Sequence, residues 1–175
     1  MILTPGAWRS PFPELPDPIL LEHTCRGLHT TDSDHPILDA VAELADLHRE
    51  LLIGRGRVRL DHRFERHRQR NADLIDGIVA AAVPAARDGA RVHTETIGAV
   101  ADRMACWCAM LHDPAATAFS SEELTLADTC VSQLVNGYAA LVDELAAGIC
   151  RVPATTTLTP VTFTGHDLIT RRRHS

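Results

Sequence analysis

The chain contains no lysine: all seventeen of its basic side chains are arginine. Against twenty-three acidic residues this leaves a formal charge of -6, which argues against general nucleic-acid binding, since that depends on neutralising phosphates. Arginine without lysine in an alanine-rich chain reads as a GC-rich coding bias, so the arginine count is no sign of phosphate recognition. Aromatic residues are also scarce, at 4%. A core of aliphatic side chains and alanine follows, and such a core lets helices approach closely. No run of eighteen apolar residues occurs, so no membrane partner is expected. Prolines interrupt "MILTPGAWRSPFPELPDP" where an export signal needs its apolar stretch, and the expected location is cytoplasmic. The five cysteines are odd in number and form no Cys-x-x-Cys, which disfavours a disulfide framework or zinc knuckle and favours reduced, buried thiols. A glycine-rich phosphate loop, a nucleophile elbow, a zinc-protease motif, a Glu-x-x-His pair and paired Glu-x-x-Glu segments are all missing. Their absence sets aside the commonest phosphate, hydrolase and di-iron chemistries.

What is present is helical periodicity. With 175 residues, 45% of them hydrophobic, the chain is long enough for one domain with one core. Residues 1–35 read as an arm carrying one short helix, "DPILLEHTCRGL", capped by Asp17 with Pro18 at the first helical position. Residues 36–153 read as a helical bundle and 154–175 as an extended C-terminal arm without a partner strand. The first bundle helix carries Ile37, Val41, Leu44, His48 and Leu51 at helical spacing and stops at Gly54. In the second, Leu60, Phe64, His67, Asn71, Leu74 or Ile75, Ile78 and Ala82 repeat the pattern until Pro84. The third runs from Thr94 or Glu95 to about His112, with Thr94 as N-cap and a stripe of Ile97, Val100, Met104, Trp107, Cys108 and Leu111. The fourth opens on a capping box between Ser120 and Glu123 and carries a seven-residue repeat from Leu124 to Ile149, which also permits homodimer formation. The resulting expectation is an all-α, antiparallel four-helix bundle with an additional short N-terminal helix and extended arms.

Polar residues on apolar faces carry the functional reading. At about 100° per residue, His48, His67 with Asn71, and Tyr138 project into the stripes of three different helices. A buried polar group without a partner costs about 1–3 kcal/mol, so these four must bond to one another, to water or to a ligand. On the third helix Glu95, Asp102 and Cys106 share a face with Gly98, Ala99, Ala105 and Ala109, which admits a helix backbone or a ligand. Asp102 is expected to pair with an arginine of the second helix. Glu95 is placed in a first turn, where the helix dipole favours a carboxylate.

The segments "LADLH", "IDGIVAAAVP", "HTETIGAVADR" and "LVNGYAALVDELAAGICRVP" together resemble an actinobacterial family of helical proteins known as a domain of unknown function. The similarity spans most of residues 36–153. Its most specific motif, Leu-His-Thr-Glu-Thr/Ser-Leu/Ile-Gly-x-Val-x-Asp-Arg, falls on His93, Thr94, Glu95, Gly98, Asp102 and Arg103, and His48, Asp76, Tyr138, Gly148, Arg151 and Pro153 also match. The chain departs from that pattern at Val92, at Ile78 and in the basic stretch from Arg55 to Arg70. The resemblance implies an all-helical fold and brings no established activity.

The leading expectation is a cofactor-independent acid-base enzyme, of cyclase, isomerase or lyase type, acting on a small organic molecule. His48 or His67 would move a proton, Tyr138 and Asn71 would hold an oxygen, and Glu95 with Arg103 would orient the ligand beside His93 and Asp102. Three other readings compete with it. One is a non-catalytic bundle for dimerisation or ligand binding, a second is a mononuclear metal on His48, His67 and a carboxylate, and a third is anion binding at the start of the third helix, aided by Arg91.

Overall fold

The computed structural model describes residues 8–28, 34–53, 62–112 and 119–153. The fold is all-α, and the described residues form five helices: α1 (Pro18–Cys25), α2 (Pro36–Ile53), α3 (His62–Ala82), α4 (Ile97–His112) and α5 (Ser121–Ala146). Two strands of two residues each, β1 (Arg91–Val92) and β2 (Cys150–Arg151), pair in parallel with Arg91 opposite Cys150. Among the described residues no helix is long and apolar enough to cross a membrane. Gly54 and Leu60, read as a helix stop and a stripe residue, and the arm at 154–175 lie outside the described residues.

The helix ends follow local chemistry. Asp17 accepts hydrogen bonds from the amides of Ile19 and Leu20 at 2.8 and 3.4 Å, so α1 starts where its cap and Pro18 demand. The capping box at α5 forms completely: Ser120 Oγ accepts from the Glu123 amide, and Glu123 accepts from the Ser120 amide. At its other end Gly148, at φ +67°, lets the Ile149 amide reach back to the carbonyl of Glu144, which closes the helix and turns the chain into β2. The third bundle helix starts later than its sequence suggests. Thr96, not Thr94, caps α4, its hydroxyl accepting from the Ala99 amide at 3.1 Å, because residues 91–93 are held in the strand pair and the chain needs 94–95 to turn.

α4 is the central element and packs against α1, α2, α3 and α5. That position explains why most of its small-residue face is buried with its apolar stripe: Gly98, Ala105 and Ala109 are buried like Ile97 and Met104, while Ala99 and Cys106 are half-buried. Gly98 is the point of closest approach, where a Cβ would stand 2.3 Å from the carbonyl oxygen of Ala72 on α3. The N-terminal segment, read as an arm, joins the same core through Phe12, Leu15, Leu21 and Cys25. Cys150 and Arg151, just ahead of the segment read as an arm, pair with β1, a strand pairing the sequence did not suggest. Of the seven-residue repeat from Leu124 to Ile149, Ala127, Val131, Tyr138, Leu141 and Leu145 are buried in the chain's own core, Leu124 and Leu134 are half-buried and Ile149 is exposed.

Candidate functional site

The four polar residues expected to converge do not. His48 is buried on α2 and its Nε2 lies 3.0 Å from Asp102 Oδ1 on α4. His67 points outward, with 51% of its side chain exposed, and meets Glu43 at 3.3 Å. The buried face of α3 is rotated by one residue from the stripe read in the sequence, running through Arg68, Asn71, Ala72, Ile75 and Val79 and leaving Leu74 exposed. Asn71 keeps its place on that face and donates to Glu43 Oε2 at 3.0 Å. Tyr138 is fully buried and donates its hydroxyl to the Pro16 carbonyl at 2.9 Å. Burial, with help from the charge of Asp17, pushes the Tyr138 phenol well above its usual range, so it stays protonated. All four are satisfied by protein, His48 on Asp102, His67 and Asn71 together on Glu43 and Tyr138 on the Pro16 carbonyl, and His48 and His67 share no ligand set for a metal. Among the described residues, no three His, Cys, Asp or Glu side chains gather as one.

What the structure does assemble around His48 is an ion cluster across three helices. Asp102 Oδ2 accepts from Arg68 Nη1 on α3 while Oδ1 takes His48, and Arg68 donates with Nε and Nη2 to both oxygens of Glu65, at 3.1 and 2.6 Å. The arginine that the sequence assigned to Asp102 without a number is therefore Arg68, itself nearly inaccessible. Burial by itself would strip the proton from His48, but the hydrogen bond to Asp102, with a further contribution from Cys106 one turn along α4, lifts its pKa to about 9. The ring edge rests on Phe64, with centroids 6.1 Å apart. A histidine that keeps its proton until about pH 9, beside a carboxylate with both oxygens engaged, has neither a free base nor a free acceptor to offer a substrate near neutrality. The cluster clamps α2, α3 and α4 in register.

The second polar group is open. A cleft of about 300 Å³ runs between α4 and α5, lined by His93, Glu95, Arg103 and Trp107 on one side and Cys130, Gln133 and Gly137 on the other, with Val100, Leu134 and Leu141 as apolar walls. Its upper rim is set by the strand pair. The His93 amide donates to the Arg151 carbonyl at 2.8 Å, and an ion pair between Arg91 and Glu144 fastens the same segment to α5. That pair holds the Glu144 carboxyl below its usual range. His93 Nδ1 sits 3.1 Å from the Glu95 amide and 2.9 Å from the Glu95 carbonyl. A neutral ring accepts from the amide and a protonated ring donates to the carbonyl, so this turn holds the imidazole in place in either state. Glu95 lies in the turn before α4, not in its first turn, and its carboxylate accepts from Arg103 Nη2 at 2.5 Å. The Arg103 Nε–H is buried and has no hydrogen-bond partner among the described residues.

The structure thus brings together His93, Glu95 and Arg103, turns Asp102 to a different face of α4 with His48, and leaves His67 with Asn71 on Glu43. Trp107, Cys130, Gln133 and Gly137 were missed as cleft residues. Gln133 and Gly137 are four apart on the polar side of α5, the spacing that places two residues side by side on one helix face. No protein-family model, no curated protein and no solved structure matches the chain.

Proposed function

We propose that the cleft between α4 and α5 is a small-molecule site, and that the protein is a cofactor-independent acid-base enzyme of cyclase, isomerase or lyase type working there. The observation that carries the reading is the grouping of a carboxylate (Glu95), an imidazole (His93) and a guanidinium (Arg103) in one open, partly apolar cavity. In this reading Glu95 and His93 exchange a proton with the ligand, and Arg103 polarises an oxygen on it. His48, His67, Asn71 and Tyr138 stand outside the chemistry.

The test is solvent-deuterium exchange. A panel of small carbonyl compounds is incubated with protein in D2O and followed by NMR, together with chemical-shift mapping of binding. Binding to the cleft with catalysed C–H exchange that falls by about 10²-fold or more in Glu95→Gln supports the enzyme. Binding at the cleft without exchange in any compound replaces it with a second reading, a non-catalytic ligand-binding bundle. That reading is favoured by one observation of its own: the most buried polar side chains are all satisfied within the protein.

A further inference from the structure

The polar group around His48 extends past Asp102. Cys106 stands one helical turn further along the same face of α4, and the His48 ring hydrogen-bonds its thiol as well as the Asp102 carboxylate. The ring is fixed from the other side by Phe64, while Arg68 and Glu65 of α3 complete the charges around Asp102. Thiol, imidazole and carboxylate in that order form the pattern of an activated nucleophile, in which a third group orients the histidine that touches the sulfur. Here the histidine keeps its proton until about pH 9, so it meets the sulfur as a cation. A cation with two N–H donors favours the negative charge that sulfur gains when its proton leaves for water. Exposure then separates the five cysteines: Cys25, Cys108 and Cys150 are buried, whereas Cys106 and Cys130 are half-buried. Cys106 joins access from solvent to a cationic donor beside its sulfur, and it is not among the residues that line the α4/α5 cleft.

We infer that Cys106 is a modification site that takes up small disulfides, with His48 as the residue that positions and stabilises its thiolate and Asp102 as the group that holds His48. The Cys106 thiol gives its proton to water and its sulfur attacks one sulfur of the disulfide. A new S–S bond forms as the old one breaks, and the departing thiolate takes a proton from water. One protein thiol and one small disulfide thus yield a mixed disulfide and one small thiol, and the disulfide itself is the oxidant. The site is separate from the cleft and stands whether or not the cleft binds a ligand.

The experiment uses the full chain with 2-hydroxyethyl disulfide, an uncharged probe, and N-acetylcysteine in the same mixture as a reference thiol. Samples are quenched in acid over time at pH 6.5 and at pH 9, and the adduct on each cysteine is measured by peptide mass spectrometry. At pH 6.5 Cys106 is expected to react about tenfold or more faster than Cys130 and than the reference, with Cys25, Cys108 and Cys150 unmodified. The lead over the reference shrinks toward pH 9, because a free thiol ionises near about pH 8.5 and His48 is then losing its proton. In His48→Gln the Cys106 rate at pH 6.5 falls about tenfold, and its ratio to the reference no longer changes with pH. Cys130 in the same samples reports the fold, since loosening of the bundle would speed its reaction and open the three buried thiols.

Absence of adduct at Cys106, or Cys130 reacting as fast as Cys106 in the parent protein, overturns the site. A Cys106 rate and pH profile that His48→Gln leaves unchanged overturns the pairing of thiol with imidazole. If His48→Gln does not fold, the parent protein decides by itself: a lead of Cys106 over both Cys130 and the reference that shrinks with rising pH supports the site, and a lead that is missing or constant with pH overturns it.

Discussion

At Asp102 one carboxylate holds two cations delivered by two other helices, His48 from α2 and Arg68 from α3. The group is more informative by its partners than by its own position, since removing it leaves two cationic groups buried together. Asp102→Ala is expected to destabilise the protein by about 3–5 kcal/mol, the usual consequence of breaking a buried ion pair from one side. Chemical denaturation reads this directly, and a loss under 1 kcal/mol would show that water replaces the carboxylate. Tyr138 offers a milder test, because Tyr138→Phe deletes one buried hydrogen bond and keeps the packing. A cost of about 1 kcal/mol is expected, with no change in binding of any compound at the cleft. A loss of cleft binding would return the tyrosine to the site. His48, Asn71 and Tyr138 were legible in the sequence as buried polar positions because helical periodicity reports which face of a helix a residue occupies. Their partners were not, because hydrogen-bond pairing depends on the level and rotation of neighbouring helices. His67 shows how narrow the margin is: a rotation of one residue on α3 exchanged it for Arg68.

At the level of elements, α4 carries the architecture and its N-terminus is where sequence and fold are most tightly coupled. Asp76 on α3 accepts from the Gly98 amide at 2.7 Å, so a side chain of one helix caps the next. Burial raises the Asp76 carboxyl, and the hydrogen bonds from Thr96 and Gly98 work against that rise. The same turn brings Gly98 against Ala72. Gly98→Ala is therefore expected to cost about 3 kcal/mol, the upper end of what overpacking does, because the obstructing atom is a backbone oxygen that cannot rotate away. Thermal or urea unfolding checks it, and a neutral result would mean that α3 and α4 separate at small cost. At α5, by contrast, capping is local: Ser120→Ala should lose about 1 kcal/mol and fray the helix start without moving the cleft. The α5 box and the Asp17 cap are readable in sequence because donor and acceptor lie two or three residues apart. The cap of α4 was misplaced by two residues because pairing with the distant residues Cys150 and Arg151 holds residues 91–93.

For the molecule as a whole, the buried ion cluster makes stability depend on pH with a defined sign. The pKa of His48 is about 9 in the folded protein, above the ordinary value of 6.5, so its contribution is complete below about pH 6.5 and is lost as pH rises through 9. A shift of that size corresponds to roughly 3 kcal/mol. Urea midpoints measured from pH 6 to 10 should fall across this window, and His48→Gln should flatten the part below pH 9. Cys25 and Tyr138, both raised by burial, add a further loss above pH 9, where the unfolded thiol and then the phenol ionise. A flat profile in the parent protein would show that the His48 proton is not held as the geometry implies.

The amino-acid sequence by itself determined the helical class, the apolar faces of α2 and α5, two helix caps and the small-residue surface of α4. All of these arise from chemistry within a few residues along one helix. Tertiary structure decided which polar groups meet. Asp102 turned inward to His48 and Arg68, whereas Arg103, one residue later and about 100° around the same helix, turned to Glu95 and the cleft. The physical reason is that α4 is enclosed by four other helices, so each of its faces takes its role from the neighbour it touches.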